Sequence, residues 1–330
     1  MKHRGLIAFF FLAIAVFVGL ALYGDLPELL HQVSSFPLTY WLAVLGLALV
    51  NYLLRLVRWH YYLRVLGIRI ERGASVAIFM AGLVMAITPG RVGELAKSYF
   101  LKDKMDVSVA RSSVVVIAER ITDLVAVLLL SLWGLTLIPY GWVVGLVVLA
   151  AFGAFILLAV TPWGSEKMLR LPVIRRWSPF LTTSRDGFRQ IFSTKPLAIA
   201  VVLGMLAWFA EGCGLWLVLR GLDATGSLGH AISIYAAATL LGAITLLPGG
   251  LVGTEGGMVA LLQQVQGMTK TQASSATFII RICTLWFALL IGLLALIYVQ
   301  IFMPKKAGPE EIAEEVGPSP LYSDSTEEVS

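Results

Sequence analysis

The chain has 330 residues, of which 58% are hydrophobic and 14% are charged, and its mean hydropathy is +0.85. This composition excludes an ordinary water-soluble globular domain and is typical of a polytopic membrane protein. The formal net charge is +5, but the bases adjoin predicted membrane ends, so we expect no nucleic-acid partner. Two cysteines and four scattered histidines give no disulfide framework and no metal-ligand spacing, and we expect no metal and no cofactor.

Six apolar stretches are long enough to cross a hydrocarbon core about 30 Å thick at about 1.5 Å per residue. The charge pattern before the first stretch also suits a signal peptide. Its length and the lack of a small-residue cleavage site favour a retained span. We therefore predict an all-α polytopic membrane protein with about six full transmembrane helices. They are Gly5–Tyr23, Leu38–Val57, Ser112–Trp133, Gly141–Val160, Leu197–Leu219 and Thr277–Phe302.

Two further apolar segments, about 74–102 and 230–266, are interrupted by glycine-proline turns that carry charge. Both follow the same order: an apolar helix, Ala-Ile-Thr, Pro-Gly, a further glycine and then glutamate. Proline cannot continue a helix interior, and glycine lets the backbone turn and approach a ligand closely. The two turns therefore predict helix breaks, with backbone tips formed by Pro89, Gly90, Gly93, Pro248, Gly249, Gly250 and Gly253.

The distribution of the bases decides how the first broken segment is placed. If it dips into the membrane and returns to the same side, 20 of the 25 bases fall on the cytoplasmic side, as the positive-inside rule expects. A full crossing would put the seven bases between Lys167 and Lys195 outside. We therefore predict a re-entrant helical hairpin, and we assign re-entry to the second segment by its likeness to the first. Both termini are then cytoplasmic.

The likeness of the two segments extends to the helices around them. Glu94 precedes Arg120 by 26 positions, and Glu255 precedes Arg281 by the same 26. Each unit contains a span, a hairpin with a Pro-Gly tip and a span with an arginine, and the two units face opposite ways. This pattern predicts an inverted repeat with a site at the midplane between the copies, which is a transporter architecture. Chance similarity of apolar segments is the alternative.

The predicted organisation has five parts. A first transmembrane helix with an external loop is followed by membrane repeat 1 and a linking helix. A basic cytoplasmic loop then leads to membrane repeat 2, and a disordered acidic cytoplasmic tail ends the chain. The boundaries are 1–37, 38–160, 161–196, 197–303 and 304–330.

Seven ionisable side chains fall at bilayer depth in this arrangement. Each costs about 2.5–3.5 kcal/mol on insertion scales, so we expect them to face one another, water or a ligand. They are Glu94, Glu119, Arg120, Asp123, Glu211, Glu255 and Arg281.

The helix starts after the two tips, together with nearby arginines, predict a site for an anion. Helix N-termini are natural phosphate sites, and arginine binds phosphate bidentately. A plain helix-capping role is the alternative for both glutamates, because a carboxylate in a first helical turn accepts from free backbone amides. The predicted substrate-binding residues are Arg91, Glu94, Arg120, Asp123, Glu255 and Arg281.

Glu119 and Asp123 are four residues apart and share a helical face. Two neighbouring carboxylates allow a proton relay, since burial and mutual repulsion raise the proton affinity of one of them. The alternative is a static ion-pair knot that joins helices.

A basic, aromatic helix end follows the second predicted span. Such belts commonly anchor a helix at the lipid headgroups, and contact with anionic headgroups is the functional alternative. The stretch contains Arg55, Arg58, Trp59, Tyr61, Tyr62 and Arg64.

Three motifs resemble those of the lysylphosphatidylglycerol synthase transmembrane family, also described as flippase-like, over nearly the whole chain up to about Met303. The resemblance implies the bacterial or archaeal plasma (inner) membrane and a fold like the N-terminal membrane part of multiple peptide resistance factor-type proteins. That part is implicated in moving aminoacylated phosphatidylglycerol, and other relatives are linked to polyprenyl-phosphate sugars or hopanoids. The motifs are Pro89-Gly90-Arg91-Val92-Gly93-Glu94, Glu119-Arg120-Ile121-Thr122-Asp123 and Pro248-Gly249-Gly250-Leu251-Val252-Gly253-Thr254-Glu255.

The sequence departs from the family pattern in two ways. Val252 stands where the second motif usually has glycine, so we expect a differently shaped tip. No soluble aminoacyl-transferase domain follows the last span in this sequence, so we do not expect lipid-lysylating activity. We therefore lean away from an enzyme.

The first functional hypothesis is a flippase-like lipid translocator that binds an anionic, phosphate-bearing lipid between the two hairpins. Its partner is a membrane lipid, either a phospholipid or a polyprenyl-phosphate-linked lipid. The alternatives are a membrane-embedded transferase and an accessory subunit for lipid-linked sugar or aminoacyl-lipid synthesis, which would have a synthase or glycosyltransferase partner. The sequence indicates no oligomeric state.

Overall fold

A computed structural model of the chain describes residues 3–88, 93–135 and 178–303, together with six isolated helical positions between 143 and 154. The regular structure of these residues is helical, with no strand among them, as the composition predicts. The helices are α1 (His3–Tyr23), α2 (Leu26–Ser34), α3 (Leu38–Val65), α4 (Arg72–Val84), α5 (Ala96–Met105), α6 (Val109–Leu135), α7 (Ser178–Ile191), α8 (Thr194–Gly221), α9 (Leu228–Ile244), α10 (Gly253–Gln266), α11 (Lys270–Arg281) and α12 (Phe287–Phe302).

Three helical segments in the described ranges are long and apolar enough to cross a membrane: α3, α8 and the continuous run from α11 to α12. A fourth is added if α1 and α2, which meet at an angle of 102°, count as one bent span. The predicted all-α membrane protein is thereby confirmed. The predicted span Ser112–Trp133 lies within α6, which carries Glu119, Arg120 and Asp123 in its apolar part.

Parts of the predicted organisation fall outside the described residues. They include the tip residues 89–92, most of the predicted span Gly141–Val160, the first half of the predicted cytoplasmic loop and the predicted acidic tail from residue 304.

Each broken segment contains two helices, one on either side of the break, that pack against each other. In the first, α4 continues into a 3₁₀ turn at Met85–Ile87, and α5 leaves the tip. In the second, a 3₁₀ turn at Pro248–Gly250 separates α9 from α10. The two 3₁₀ turns contact each other. The predicted helix breaks are therefore present, and they meet in the interior of the protein.

The helices around the breaks pack reciprocally. Helix α4, the first arm of the first segment, lies against α12 at the end of the chain, and α9, the first arm of the second segment, lies against α6. Helices α3 and α8, which precede the two segments, pack along each other. Each half of the chain thus supplies the packing surface for the broken segment of the other half.

The second tip uses backbone conformations that favour glycine. Gly249 and Gly250 have φ values of 65° and 69°, which cost a glycine little. Val252, at the position where the family pattern has glycine, has φ 70° and ψ −56°. A β-branched residue is strained in this region. The valine therefore keeps a backbone conformation that suits glycine, and this conformation reduces the stability of the protein.

We predict that Val252→Gly stabilises the protein. The side chain is 48% exposed, so its loss removes little packing, while relief of the positive φ is worth about 1–2 kcal/mol. The expected result is a rise of about 2 °C in the thermal unfolding midpoint of the detergent-solubilised protein.

The matched control is Val202→Gly in the interior of α8, where the side chain is 54% exposed. There glycine costs about 1 kcal/mol of helix propensity, and the midpoint falls. Equal destabilisation by the two substitutions would show that Val252 is not strained.

Candidate functional site

A cavity of about 270 Å³ lies where the two tips meet. Its wall draws on α3, α4, α6, α8, α9, α10, α11, α12 and the turns at both helix breaks. One part of the wall is apolar and includes Leu83, Leu240 and Leu246. Another part carries charge. The charged residues that line the cavity are Arg55, Glu94, Arg120, Asp123, Glu211 and Arg281.

Arg120 joins the first tip to α6. Its Nη2 lies 3.1 Å from Oε2 of Glu94 and 3.0 Å from Oδ2 of Asp123. Glu94 is buried, in the short turn that leads into α5. The arginine therefore bridges a carboxylate at the tip and a carboxylate one turn further along its own helix.

Arg281 makes the corresponding contact in the second half of the chain. Its Nε donates to Oε1 of Glu255 at 2.6 Å, and its Nη2 donates to the backbone carbonyl of Gly249 at 2.8 Å. Glu255 lies in the first turn of α10. The equal sequence spacing of the two glutamate-arginine pairs thus corresponds to two equivalent ion pairs, each between a tip and the following long helix.

Asp123 collects donors from three helices. Its Oδ1 accepts from Nη2 of Arg58 at 2.6 Å and from the indole Nε1 of Trp208 at 3.3 Å. On the other side, Nη2 of Arg55 lies 3.7 Å from Oδ2. Since Arg120 also faces Oδ2, three guanidinium groups surround one buried carboxylate. This carboxylate therefore ties α3, α6 and α8 together at the cavity.

Glu119 lies away from the cavity and pairs with a different cation. Nζ of Lys97 donates to its Oε2 at 2.5 Å, and both side chains are buried. The ammonium also lies 4.7 Å from the ring centroid of Trp59 and 5.3 Å from that of Phe79. The proton relay between Glu119 and Asp123 stays a prediction. In the structure Glu119 pairs with Lys97, whereas Asp123 pairs with arginines.

The glycines before the two glutamates lie close to a threonine of the arm opposite. A Cβ atom at Gly93 would lie 2.5 Å from Cγ2 of Thr88, and one at Gly253 would lie 2.6 Å from Cγ2 of Thr245. Each threonine hydroxyl donates a hydrogen bond to a backbone carbonyl three residues earlier, Thr88 to Met85 and Thr245 to Gly242. The repeated Ala-Ile-Thr and glycine of the sequence therefore form the same tight contact twice. Pro89, Gly90 and Arg91 lie outside the described residues.

The helix that carries Arg281 changes its winding directly after it. Residues Ile282–Trp286 form a π-helical turn, an irregularity that is frequent at functional sites. The backbone carbonyl of Thr284 in this turn accepts from the hydroxyl of Tyr52 at 2.9 Å. The side chain of Thr284 lines the cavity. The hydrogen bond therefore connects α3 to the turn between α11 and α12 at the cavity wall.

The interpretation of the basic, aromatic end of α3 as a headgroup anchor is wrong for most of its members. Arg58, Trp59 and Tyr62 are completely buried and Arg55 is 8% exposed, whereas Arg64 is exposed. Arg55 and Arg58 were not included in the predicted site because bases near a helix end are typical of a membrane interface. Their spacing of three, which puts both on one helical face, was the signal that could have found them.

The predictions also missed a group contributed by α8 and α9. Glu211 lines the cavity, and its Oε2 accepts from the hydroxyl of Tyr235. Trp208, one turn before Glu211, contacts Asp123 as described above and packs with Tyr235 at a ring-centroid distance of 6.5 Å. The sequence predicts Glu211 to be an intramembrane acid, but its place in the site follows only from the packing of α8 against α9.

The fold and the cavity together define a class: an all-helical membrane protein with a charged, partly open cavity where two helix breaks meet. Residues 7–292 match the profile of the family described as "Lysylphosphatidylglycerol synthase TM region", and the chain belongs to this family. A "UPF0104 membrane protein" of Methanothermobacter thermautotrophicus is 22% identical over 331 residues, covering 90% of this chain and 96% of that protein. A protein of the same name and organism is 28% identical over 170 residues, covering 44% of this chain and 51% of that protein.

We predict that Glu119→Gln strongly destabilises the protein, because it leaves the buried ammonium of Lys97 without its carboxylate. Removing one member of a buried pair costs about 3–5 kcal/mol, which corresponds to a fall of roughly 5 °C in the thermal midpoint. Glu28→Gln on the exposed face of α2 is the matched control and should shift the midpoint by no more than about 2 °C.

A double variant separates charge from packing. When Glu94 is aligned with Glu255 and Arg120 with Arg281, Lys97 and Glu119 correspond to Met258 and Ile280 of the second half. These two residues are fully buried and apolar. Lys97→Met combined with Glu119→Ile should therefore recover most of the lost stability, since an apolar pair replaces a buried ion pair at little cost. If Glu119→Gln is as stable as Glu28→Gln, the ion pair does not stabilise the fold.

Proposed function

We propose that this protein is a lipid translocator that binds the phosphate of an amphipathic lipid in the cavity between the two tips. The observation that carries the proposal is that Arg120 and Arg281, which belong to different halves of the chain, line one cavity. Apolar and charged surfaces adjoin in the same wall, as an amphipathic ligand requires. The family to which the chain belongs is described by the membrane region of a phospholipid-modifying enzyme, which agrees with a lipid ligand.

The cavity wall supports the inverted repeat that the proposal needs. Counting from the glutamate-arginine pairs, Asp123, Leu124 and Val127 correspond to Thr284, Leu285 and Ala288, and all six line the cavity. Leu83 and Ala86 of the first arm correspond to Leu240 and Ala243 of the second when the two Ala-Ile-Thr sequences are aligned, and all four residues line the cavity. About half of the lining residues in the described part of the chain therefore fall into equivalent pairs.

Helices α3 and α8 extend this correspondence. Both contain 28 residues, and both contribute two lining residues at matching positions, Tyr52 with Trp208 and Arg55 with Glu211. The amide Nδ2 of Asn51 donates to the carbonyl of Ala207 at 2.9 Å, and these two residues also occupy matching positions. A contact between equivalent residues is expected at the axis that relates two repeats, so we propose that the cavity lies on this axis.

Phosphate suits the charged part of the wall. The cavity presents guanidinium groups, which bind phosphate oxygens through paired N–H donors, and the acids hold these groups in place. In the proposed role, Glu94, Asp123 and Glu255 position the arginines, and the tip glycines let the headgroup approach the backbone. Proton coupling through Glu119 or Asp123 belongs to the same proposal.

The proposed setting is the plasma membrane of a bacterium or archaeon, with both broken segments re-entrant and both termini cytoplasmic. The base distribution of the sequence supports this orientation, since 20 of the 25 bases then lie inside. Contact between the two tips supports re-entry from opposite sides, because two hairpins that enter a membrane from opposite faces meet near its middle.

An accessory role is the second candidate, because the family description names a synthase. In that role the protein would position a separate synthase or glycosyltransferase, and the buried ion pairs would serve only the fold. A membrane-embedded transferase is the third candidate. Leaflet exchange by the purified protein separates the translocator from both.

We predict that the protein in liposomes accelerates leaflet exchange of fluorescent phosphatidylglycerol or fluorescent polyprenyl phosphate, measured by dithionite quenching of the outer leaflet. A fluorescent glycolipid without phosphate should not exchange. Arg281→Ala and Glu94→Gln should each reduce the exchange rate at least tenfold, because each breaks one of the two ion pairs at the tips.

The matched control is Arg220→Ala, which removes an exposed arginine at the end of α8 and should leave exchange unchanged. Gel filtration and thermal unfolding verify that each variant is folded. Absence of exchange with every phosphate-bearing lipid contradicts the proposal, and so does formation of a new lipid product without exchange.

A further inference from the structure

The two equivalent ion pairs identify a role that both halves of the chain need. Glu94 with Arg120 and Glu255 with Arg281 each connect a tip with the next long helix, and Arg281 also binds the carbonyl of Gly249 in the tip. A contact that occurs twice at equivalent places is explained by the repeated fold alone. These two guanidinium groups are therefore committed to holding the tips.

Arg55 has no such counterpart, because the matching position of α8 is occupied by Glu211. The side chain of Arg55 is 10% exposed and lines the cavity. Its Nε makes no hydrogen bond within the described part of the chain, as is also true of the Nε atoms of Arg58 and Arg120. Nη2 of Arg55 lies 3.7 Å from Oδ2 of Asp123, which is beyond hydrogen-bond distance.

Arg55 is the least tightly held of the three guanidinium groups around Asp123. Arg58 and Arg120 approach this carboxylate to 2.6 Å and 3.0 Å, so both are closer to it than Arg55. Glu94 adds one further negative charge on Arg120. The cavity wall carries as many carboxylates as guanidinium groups, so Arg55 is distinguished by its looser contact with Asp123 and not by an excess of positive charge.

The geometry points to Arg55 as the residue that makes the primary contact with a phosphate group, whereas Arg120 and Arg281 hold the tips that enclose it. This inference rests on the proposed function and names the binding residue within the same site. The ligand chemistry is a phosphate monoester or diester, since a guanidinium binds such oxygens through two parallel N–H donors. Arg58 is fully buried behind Asp123 and holds this carboxylate instead of the ligand.

The test is calorimetric titration of the full-length protein in a nonionic detergent. The probes are dihexanoyl phosphatidylglycerol, inorganic phosphate and dihexanoylglycerol, which lacks phosphate. Binding of dihexanoyl phosphatidylglycerol with weak or no binding of inorganic phosphate indicates a lipid headgroup site. Equal binding of both indicates a phosphate site, and dihexanoylglycerol should not bind.

Arg55→Ala should weaken binding at least tenfold, and Arg55→Lys should weaken it less, because lysine keeps the charge but not the paired donors. Arg64→Ala, an exposed arginine of the same helix, should bind like the wild type.

A second measurement uses the unmodified chain, so that its result does not depend on the folding of a variant. Phenylglyoxal modifies accessible arginines, and mass spectrometry of peptides locates them. Bound phosphatidylglycerol should protect Arg55, while Arg64 should react equally with and without the probe.

The outcomes separate this inference from the function on which it rests. If the wild type binds the phosphate probes and Arg55→Ala binds them equally well, or if Arg55 is not protected, the inference is wrong and the translocator proposal stands. If the wild type binds neither phosphate probe, both are wrong.

Discussion

The cavity depends on two buried ion pairs between a glutamate at each tip and an arginine on the following helix. A helix break inside a membrane protein leaves backbone groups and charges where water is scarce, and each unpaired group is costly there. Each pair satisfies a carboxylate near a helix start and fixes the tip against a long helix. Loss of Glu255 would leave the buried guanidinium of Arg281 without this carboxylate, at a cost of about 3–5 kcal/mol. The positions of the tips, and hence the cavity itself, follow from these contacts.

Much of this arrangement could be predicted from the sequence. Apolar stretches of sufficient length predicted α3 and α8, and the Pro-Gly turns predicted the two helix breaks. The need of charged groups for partners in an apolar setting predicted that the acids and arginines would face one another. The pairs Glu94 with Arg120 and Glu255 with Arg281 are the concrete result. Local sequence was informative here because helix breaks and buried charges are rare in membrane helices, so each one has a specific cause.

Other features of the site depend on tertiary packing, and no local sequence pattern predicts them. Arg58 lies near a helix end, where bases commonly meet headgroups, but α6 and α8 cover it and supply Asp123 and Trp208 around it. Lys97 was counted among cytoplasmic bases, yet the aromatic rings of Trp59 and Phe79 enclose its ammonium. The π-helical turn after Arg281 contains neither proline nor glycine, so nothing in its sequence predicted it.

The differences between the two halves are as informative as their likeness. Where the first half has Lys97 and Glu119, the second has the apolar pair Met258 and Ile280. Asp123 likewise corresponds to a threonine. Most of the buried charge therefore belongs to the first half, and helices of both halves converge on its Asp123. The two halves provide a similar frame, and the first half supplies most of the polar chemistry.

The size of the cavity limits how a lipid could use this frame. About 270 Å³ is below the range of roughly 300–1,000 Å³ typical of pockets for drug-sized ligands, so a headgroup fits but acyl chains do not. In the proposed function the chains must therefore remain in the bilayer beside an opening. The second tip has the surface for this, because Leu246 lines the cavity and is 65% exposed, and Ile244 beside it is 77% exposed. A polar interior next to an exposed apolar rim allows the headgroup to leave the interface while the chains stay in hydrocarbon, which is the physical requirement for moving a lipid between leaflets.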